Sequence, residues 1–523
     1  MPFYTMLKNV LKNKTVLVFL LFLLTHLLLL NVNTAEWGDS YRILRASEYI
    51  RNLNYPADEK RPPLFSVLLA LRPGSVDQIL WGRIFMLSVS IASFGVFYKL
   101  TQLYLKEDKY KNLALLLFAL NPVYLYWSLR IYADVPFTLL VMLAFYLLEK
   151  HKDSMNIRLA AVLGIIAGLS ILTRFEGYIL FGSLALGIYF AEKFRIVDIL
   201  SKQVFLKRLP LLTGYIAGFF ATVSPYWFYR NPLSSSYFDE PSSRAYDLKT
   251  LAIFVISMLF VFGVIWAWYF IFNDIHKIFS LAVGDIGIGV FVLIELILVL
   301  LWPAAVPRLF VPVIPFLIIF LAVSARTYFD QLQKTPLTPL LGLTTLIVIY
   351  PLSQYFLKLQ FLVLYKPLLL LVLLIYLFSV HSILNRKYNL FVFSTFITLM
   401  IWSGATIWLH KDNFISIKNA TEYASENLEG LIAYNDVSSV SNWYLNDRRA
   451  NEKVRGVFYP YDKKADLEES RLKELGFDYL ILTNEHNTDM TLDINQRPYL
   501  DEIRNFEYEV NGKVFFAKIV RVL

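Results

Sequence analysis

The chain has 523 residues, of which 57% are hydrophobic and 17% are charged, and it contains no cysteine. So few polar side chains could not cover that much apolar surface in water. The composition therefore predicts an α-helical, polytopic membrane protein and excludes disulfides, thiol catalysis and cysteine-ligated metals. The net charge of +9 is assigned to cytoplasmic loops rather than to nucleic acid binding, because no basic stretch with interleaved aromatic residues lies outside the apolar segments.

The first apolar segment is predicted to be a retained membrane helix. Lys8, Lys12 and Lys14 precede or open it, and no small-residue cleavage site follows it, which disfavours a signal peptide. Twelve more apolar segments follow, and most approach the length of about 20 residues that a helix needs to cross a bilayer. The thirteen predicted spans are 14–31, 80–104, 111–128, 134–149, 157–173, 177–192, 208–229, 250–272, 280–302, 309–324, 338–353, 361–380 and 390–409.

The loops between these spans indicate which side of the membrane they face. Loops on the side of the N-terminus, such as 106–111 and 149–158, carry more Lys and Arg than the short loops on the other side. Because cytoplasmic loops collect basic residues, we expect a plasma-membrane protein whose N-terminus is cytoplasmic. A transmembrane catalytic domain over 1–409 and an extracytoplasmic domain over 410–523 follow from this topology.

The first outer loop, residues 31–79, is long and contains a predicted helix at 40–53. Ile43, Leu44, Ser47 and Ile50 share one face of it, and arginines lie between them, as in a helix that lies in the membrane interface. An ordinary helix of a soluble loop fits the same pattern, so both interpretations stay open.

The composition changes abruptly in the tail, where apolar runs shrink to the length of strands. Two predicted helices, 416–428 and 466–476, alternate with them, and Gly476 is a typical C-cap. Asn511-Gly512 lies between two alternating runs and predicts a β-hairpin. The tail is therefore predicted to be a small α/β domain. Its predicted strands are 430–435, 453–459, 478–484 and the two halves of 506–520.

Charged residues of the membrane region gather at the outer ends of the predicted helices. Asp39 and Asp134 are the most informative carboxylates, although each taken alone is more often a helix cap or an ion-pair partner. A carboxylate can accept a proton from an acceptor group, and arginine binds phosphate through two parallel hydrogen bonds. Such a set suits transfer from a lipid phosphate. Its other members are Glu36, Glu59, Glu176, Arg61, Arg83, Arg130, Arg174 and Arg308.

The order of these motifs resembles the GT-C superfamily of glycosyltransferases that use polyprenyl-phosphate sugars, in particular the protein-mannosyltransferase-like and aminoarabinose-transferase-like branch. The resemblance covers about residues 1–325 and weakens to 409. No single motif is specific, but their order and their shared side of the membrane are. The matching residues are Asp39-Ser40-Tyr41, Arg61-Pro62-Pro63-Leu64, Arg83, Asn121-Pro122, Asp134, Thr173-Arg174 and Arg308-Leu309-Phe310 with Pro312 and Pro315.

The resemblance implies an inverting transfer of one sugar at the extracytoplasmic face, with Asp39 as the base and Asp134 assisting it. It implies that the donor phosphate is bound by Lys60, Arg61, Arg83, Arg174 and Arg308. Residues that could bind the acceptor or the sugar are Glu36, Trp37, Tyr41, Glu59, Tyr132 and Glu176. Ser40 stands where the family often has a second acid, so participation of a divalent cation is left open. The expected partners are the lipid-linked donor, membrane lipids and a glycan, lipid or protein acceptor.

Two other classes of function compete with this interpretation. A transporter or flippase of a lipid-linked or polar substrate also needs many helices, but it usually places its polar residues near the middle of the membrane and has internal repeats. A surface receptor could use the tail as its binding module. Glu295 is an isolated charge within an apolar segment and is predicted to face the helix bundle and pair with a cation. Aromatic residues such as Tyr126 and Trp127 are predicted to anchor the helix ends at the interface.

Overall fold

A computed structural model describes residues 13–56, 58–190, 202–230, 266–274, 285–302, 307–330, 340–345, 366–436, 439–459, 467–485, 497–510 and 513–523, with scattered positions between 248 and 264. The described part is mostly helical and ends in a β-sheet, as the sequence predicts. The hairpin turn predicted at 511–512 and most of the predicted span 338–353 lie outside the described residues.

Ten described α-helices lie between Lys14 and Tyr229. Their bounds are α1 Lys14–Leu28, α2 Gly38–Arg51, α3 Leu64–Ala70, α4 Gln78–Tyr104, α5 Asp108–Ala119, α6 Pro122–Ser128, α7 Asp134–His151, α8 Ile157–Ile171, α9 Gly177–Tyr189 and α10 Lys202–Tyr229. The longer α-helices that follow in the described residues are α11 Ala267–Asn273, α12 Ile286–Leu301, α13 Ile314–Asp330, α14 Lys366–Leu384, α15 Tyr388–His410, α16 Ile415–Asn427 and α17 Glu469–Leu475.

Two helical stretches of the described chain, Gln78–Tyr104 and Tyr388–Asn427, are long and apolar enough to cross a membrane, and five shorter apolar helices accompany them. Several helices expose leucine side chains to their surroundings; Leu24 is 56% exposed and Leu293 is 59% exposed. Exposed apolar stripes of this kind suit a lipid solvent. The predicted number of thirteen spans stays a prediction.

The predicted span 111–128 is divided into two helices. The first part ends at Ala119. Asn121 caps the second part, because its side-chain oxygen accepts hydrogen bonds from the backbone N–H groups of Val123 and Tyr124. Pro122 follows at the first helical position, where its missing N–H costs no hydrogen bond. A proline inside an apolar run predicts a kink, and the structure instead shows a helix end and a new helix start.

Helices α8 and α10 approach each other closely through small residues. A Cβ atom on Gly164 would lie 2.0 Å from the backbone oxygen of Tyr215, and one on Gly218 would lie 2.1 Å from that of Ala161. Contacts of backbone against backbone are typical of membrane helices, where van der Waals packing replaces the hydrophobic effect. These two glycines therefore set the distance between the two helices.

The tail contains a five-stranded sheet with the strand order β2-β1-β3-β5-β4. Strands β1 and β2 pair in parallel, as do β1 and β3, whereas β5 runs antiparallel to both β3 and β4. Leu472, Leu480 and Val520 belong to its buried core. The predicted α/β tail is confirmed. The strands are β1 Gly430–Tyr434, β2 Val454–Phe458, β3 Tyr479–Thr483, β4 Leu500–Val510 and β5 Lys513–Val522.

Gly476 ends α17 in the left-handed conformation, with φ of +67°, as its predicted role as a C-cap requires. Gly430 at the start of β1 also has a positive φ, of +117°. Its hydrogen atom faces the Asp478 carboxylate, which accepts a hydrogen bond from the N–H of Leu431. A side chain at position 430 would collide with that carboxylate.

The chain divides into two compact units. The first comprises Met1–Leu29, Lys60–Phe65 and Ile84–Thr406, and the second comprises Leu30–Glu59, Ser66–Arg83 and Ile407–Leu523. The second unit therefore joins most of the predicted first outer loop to the C-terminal tail. The sequence alone does not suggest this association.

Helix α2 lies within the second unit, and its apolar face is buried by protein rather than by lipid. Ile43, Leu44 and Ser47 are each less than 5% exposed. Ser66 and Gln78 donate side-chain hydrogen bonds to the carbonyl oxygens of Ile43 and Leu44. The chain after α2 folds back over Ile43, Leu44 and Ser47, which favours the interpretation as a loop helix packed on protein; its placement in the membrane interface stays a prediction.

Candidate functional site

Asp134 opens helix α7 and is fully buried. The N-terminus of a helix favours a carboxylate, because its free N–H groups carry partial positive charge. Arg174 lies in the turn between α8 and α9 and reaches two carboxylates, one N–H group donating to Asp134 and another to Glu176. One guanidinium therefore links the start of α7 to the start of α9.

The turn that carries Arg174 is tight. The N–H groups of Thr173 and Arg174 donate to the carbonyl oxygen of Ser170, and a Cβ atom on Gly177 would lie 2.4 Å from the backbone nitrogen of Ile171. Only glycine fits at position 177, and this residue therefore permits the turn that directs the Arg174 side chain. Burial acts to raise the pKa of Glu176, but the positive charges of Arg174 and Arg308 outweigh it and lower that pKa.

Aromatic rings hold two further arginines near this cluster. Arg308 follows Pro307 in a short 3₁₀ helix, and its guanidinium carbon lies 4.9 Å from the ring centre of Tyr132 and 5.9 Å from that of Trp127. Arg130 is fully buried and lies 4.7 Å from the ring centre of Tyr126. Contacts of this type stabilise a desolvated guanidinium by about 2 kcal/mol.

The segment with Lys60 and Arg61 belongs to the same compact unit and lies beside the Arg174 turn. The N–H of Leu64 donates to the carbonyl oxygen of Leu172 over 2.8 Å. Lys60 and Arg61 are half-buried. The structure thus brings the Arg61 segment, Arg174, Arg308 and Tyr132 together with Asp134 and Glu176, and their roles in a donor site stay predictions.

The other predicted site residues belong to the second unit. Arg83 binds Glu36 over 2.8 Å and also donates to the side chain of Asn31 and the carbonyl oxygen of Asn33. Glu36 is fully buried, and its N–H donates to the hydroxyl of Tyr41 over 3.1 Å. The side chains of Arg83, Glu36 and Tyr41 therefore fix the segment that leads into helix α2. Their roles as ligands stay predictions.

Asp39 lies in the first turn of α2 and is half-buried. Trp37 precedes the helix and packs edge-on against Phe414, with ring centres 5.4 Å apart. Glu59 is 6% exposed and lies at the end of the same stretch of the second unit. The roles of Asp39, Trp37 and Glu59 in the reaction stay predictions.

Three residues of the first unit, Tyr126, Trp127 and Arg130, are more deeply buried than their sequence pattern indicates. Tyr126 and Trp127 are 7% and 4% exposed, so they do not anchor a helix end at the lipid surface as predicted. Arg130 has no individual role in the sequence prediction, although it is buried with them. The run Tyr126-Trp127 followed by Arg130 and Tyr132 was the available signal, because alternating aromatic and cationic residues after a proline-started helix favour cation–π contacts.

Metal binding finds no support in the described part of the chain. Among those residues there is no group of three or more His, Asp or Glu side chains placed to hold an ion. The participation of a divalent cation stays an open expectation.

Comparison with known proteins relates the structure to others of similar shape. No protein-family profile and no curated sequence matches the chain. Among solved structures, ArnT from Cupriavidus metallidurans bound to undecaprenyl phosphate superimposes with a TM-score of 0.62 and 13% identity, covering 96% of this chain and 97% of ArnT. The apo form of ArnT gives a TM-score of 0.60 over the same shares of both chains, also at 13% identity.

A second protein shares the arrangement. The archaeal oligosaccharyltransferase AglB from Archaeoglobus fulgidus, in complex with an inhibitory peptide and a dolichol-phosphate, matches with a TM-score of 0.53 and 11% identity, covering 97% of this chain and 74% of AglB. This chain has the GT-C fold. The fold that the sequence motifs imply is thereby confirmed, and the similarity extends through the tail, beyond the region where those motifs were found.

Proposed function

We propose that this protein is an integral membrane glycosyltransferase that moves one sugar from a polyprenyl-phosphate donor to an acceptor at the extracytoplasmic face of the plasma membrane. The observation that supports this most is a buried cluster of arginines, carboxylates and aromatic rings within a GT-C fold that covers 96% of the chain. The solved structures with this fold include one bound to undecaprenyl phosphate and one in complex with a dolichol-phosphate. A polyprenyl phosphate is therefore the proposed carrier of the sugar.

The cations of the cluster suit the phosphate of such a donor. Arg308 is positioned by Tyr132 and Trp127, and Arg174 by two carboxylates. A guanidinium offers parallel N–H donors to phosphate and stays charged when buried. Lys60 and Arg61, on the neighbouring segment, complete the proposed phosphate site. Negative charge that develops on the leaving phosphate is stabilised by these fixed cations.

In the proposed reaction, an acceptor oxygen or nitrogen attacks the anomeric carbon while the bond from that carbon to the phosphate oxygen breaks. The acceptor proton passes to Asp39, the base that the motif resemblance implies, and the configuration at the anomeric carbon inverts. Asp134 acts through Arg174, because it accepts a hydrogen bond from that guanidinium. The acceptor is a hydroxyl or amine of a glycan, a lipid or a protein.

Transfer in proteoliposomes tests this function directly. The purified protein is mixed with polyprenyl-phosphate sugars and candidate acceptors, and release of free polyprenyl phosphate is measured by mass spectrometry. We expect Arg308→Ala to raise the apparent KM for the donor, and Arg471→Ala, at an exposed ion pair of the tail, to leave it unchanged. Movement of the intact donor across the bilayer without release of polyprenyl phosphate would instead favour a flippase.

A further inference from the structure

The first unit contains a cavity of about 400 Å³ between the start of α9 and the end of α12. Leu298 and Leu309 contribute to an apolar wall. Two aromatic residues, Tyr178 and Trp302, and two carboxylates, Glu176 and Glu295, also line the cavity. The phosphate site proposed above does not use Glu295, Tyr178 or Trp302.

Glu295 is the unusual member of this wall. It is 2% exposed, and its Oε2 atom is buried with no hydrogen-bond partner among the residues that the structure describes. A buried carboxylate oxygen without a donor is costly, and buried polar atoms in native proteins are almost always satisfied. A ligand that supplies a hydrogen-bond donor inside the cavity removes this cost.

The cations close to Glu295 do not supply such a donor. Arg174 is the cation that interacts with it electrostatically, and Arg174 already donates to Asp134 and to Glu176. Asp134 and Glu176 also interact with Glu295 and add negative charge around it. A phosphate brings hydrogen-bond acceptors rather than a donor to the Oε2 atom, and a hydrocarbon chain brings neither, so both leave that atom unsatisfied.

A sugar ring satisfies each part of the wall. Its hydroxyl groups donate to carboxylates, and its C–H faces pack on the rings of Tyr178 and Trp302. Glu176 lies between the cavity and the arginines, because it lines the cavity and binds Arg174. A phosphate held by Arg174 and Arg308 thus places the sugar that it carries next to Glu176 and the cavity.

We propose that this cavity is the subsite for the sugar of the lipid-linked donor, and that Glu295 accepts hydrogen bonds from its hydroxyl groups. This inference depends on the proposed glycosyltransferase function and adds a specificity-determining residue to it. Since one carboxylate faces one part of the ring, Glu295 distinguishes donors that differ at a single hydroxyl.

A panel of donors that share one polyprenyl chain and lack one sugar hydroxyl at a time tests the proposal. In the wild-type protein we expect one deoxy donor to lose about 10-fold in kcat/KM, the effect of one hydrogen bond. In the Glu295→Ala variant, the deoxy donor and the parent donor should have equal kcat/KM, because the parent sugar no longer makes the contact that the deoxy sugar lacks. Glu295→Gln, which retains an acceptor oxygen of similar shape, gives an intermediate loss.

Glu149→Gln is the matched control, because Glu149 also lies on a membrane helix but binds Lys152 away from the cavity. It keeps the wild-type ranking of donors. Equal losses for every sugar in the Glu295 variants, or a deoxy penalty that persists in Glu295→Ala, overturn the subsite while leaving the transferase function standing. Failure of the folded wild-type protein to release polyprenyl phosphate from any donor overturns both.

Discussion

Arg42 and Ser439 are 397 positions apart in sequence, and the Arg42 Nε atom donates a hydrogen bond to the Ser439 Oγ atom over 2.8 Å. Arg42 lies on helix α2, three residues after Asp39, and Ser439 follows the first strand of the tail. Gln78 adds a second link, because it donates to Leu44 of α2 and accepts from Arg448 of the tail. The tail therefore fixes the helix that carries the proposed base.

A ring contact between helix α2 and the tail gives the first prediction. Trp443 is 3% exposed and packs on Tyr41 of α2, with ring centres 5.5 Å apart. We expect Trp443→Ala to lower the free energy of unfolding by about 3–5 kcal/mol, the usual cost of deleting a buried aromatic side chain. Thermal unfolding of the purified full-length protein and its transfer rate measure the effect. Trp408→Ala, at a 70% exposed position, is the control, and equal effects of both variants would contradict the prediction.

Glu485 predicts a dependence of stability on pH. Its carboxylate accepts hydrogen bonds from the Phe414 N–H, the Ser416 hydroxyl and the Tyr508 hydroxyl. Burial raises its pKa from the ordinary value of 4.5 to about 7, and the hydrogen bonds only partly oppose this. Because the folded pKa is raised, the protonated form stabilises the protein below pH 4.5, and this contribution is lost as the pH rises toward 7.

Removing that ionisation should flatten the pH profile. We expect Glu485→Gln to be less sensitive to pH between about 5 and 8 than the wild-type protein, with a difference of up to about 3 kcal/mol from a shift of this size. Thermal unfolding across this range is the measurement. Glu509→Gln, at an exposed position of β4, should keep the wild-type profile. A Glu485→Gln protein that still loses stability as the pH rises would show that another group is responsible.

Arg174 and Asp134 should behave as a coupled pair. Arg174→Ala leaves the buried Asp134 carboxylate without its cation, which costs roughly 3–5 kcal/mol for a pair of this kind. Asp134→Asn in the same protein should recover part of this loss, because the unpaired charge is removed as well. Unfolding of both single variants and the double variant gives the coupling energy. Independent, additive effects of the two substitutions would contradict the pairing. Arg471→Ala, at an exposed position, is the control and should lower the free energy of unfolding by less than about 1 kcal/mol.

The packing of α8 against α10 gives a prediction about glycine. Gly164→Ala places a methyl group 2.0 Å from the backbone oxygen of Tyr215, and backbone atoms cannot yield as a side chain could. We expect a loss of about 1–3 kcal/mol from overpacking. Gly182→Ala is the control, because nothing lies within 4 Å of its added Cβ atom. The measurement is thermal unfolding in detergent. Equal unfolding temperatures of the two variants would show that the helices can move apart freely.

Much of this architecture follows from local patterns in the chain. Apolar runs predicted most of the helix positions, and the alternating runs of the tail predicted its strands, because each element must bury one face or one surface. Gly476 predicted its cap, and Asp134, Arg174 and Arg308 predicted a polar cluster through their places at predicted helix ends. The break at Asn121-Pro122 was predicted only as a kink, since a proline inside an apolar run does not reveal how far the chain turns.

Contacts between distant segments could not be predicted from local patterns. Nothing in the pattern of 40–53 distinguishes an apolar face that meets lipid from one that meets protein, and α2 meets protein because Ser66, Gln78 and the tail fold over it. Tyr126 and Trp127 resemble interfacial anchors in sequence but hold Arg130 and Arg308 inside the fold.

The sequence by itself determined that this protein is helical, apolar and built on a GT-C-like order of acidic and basic motifs, because composition and spacing act locally. Only the tertiary structure decided that Arg174 serves both Asp134 and Glu176, that Glu295 faces a cavity, and that the tail shares a compact unit with Asp39. Those outcomes depend on which surfaces are desolvated together, and desolvation is a property of the folded chain rather than of any segment in it.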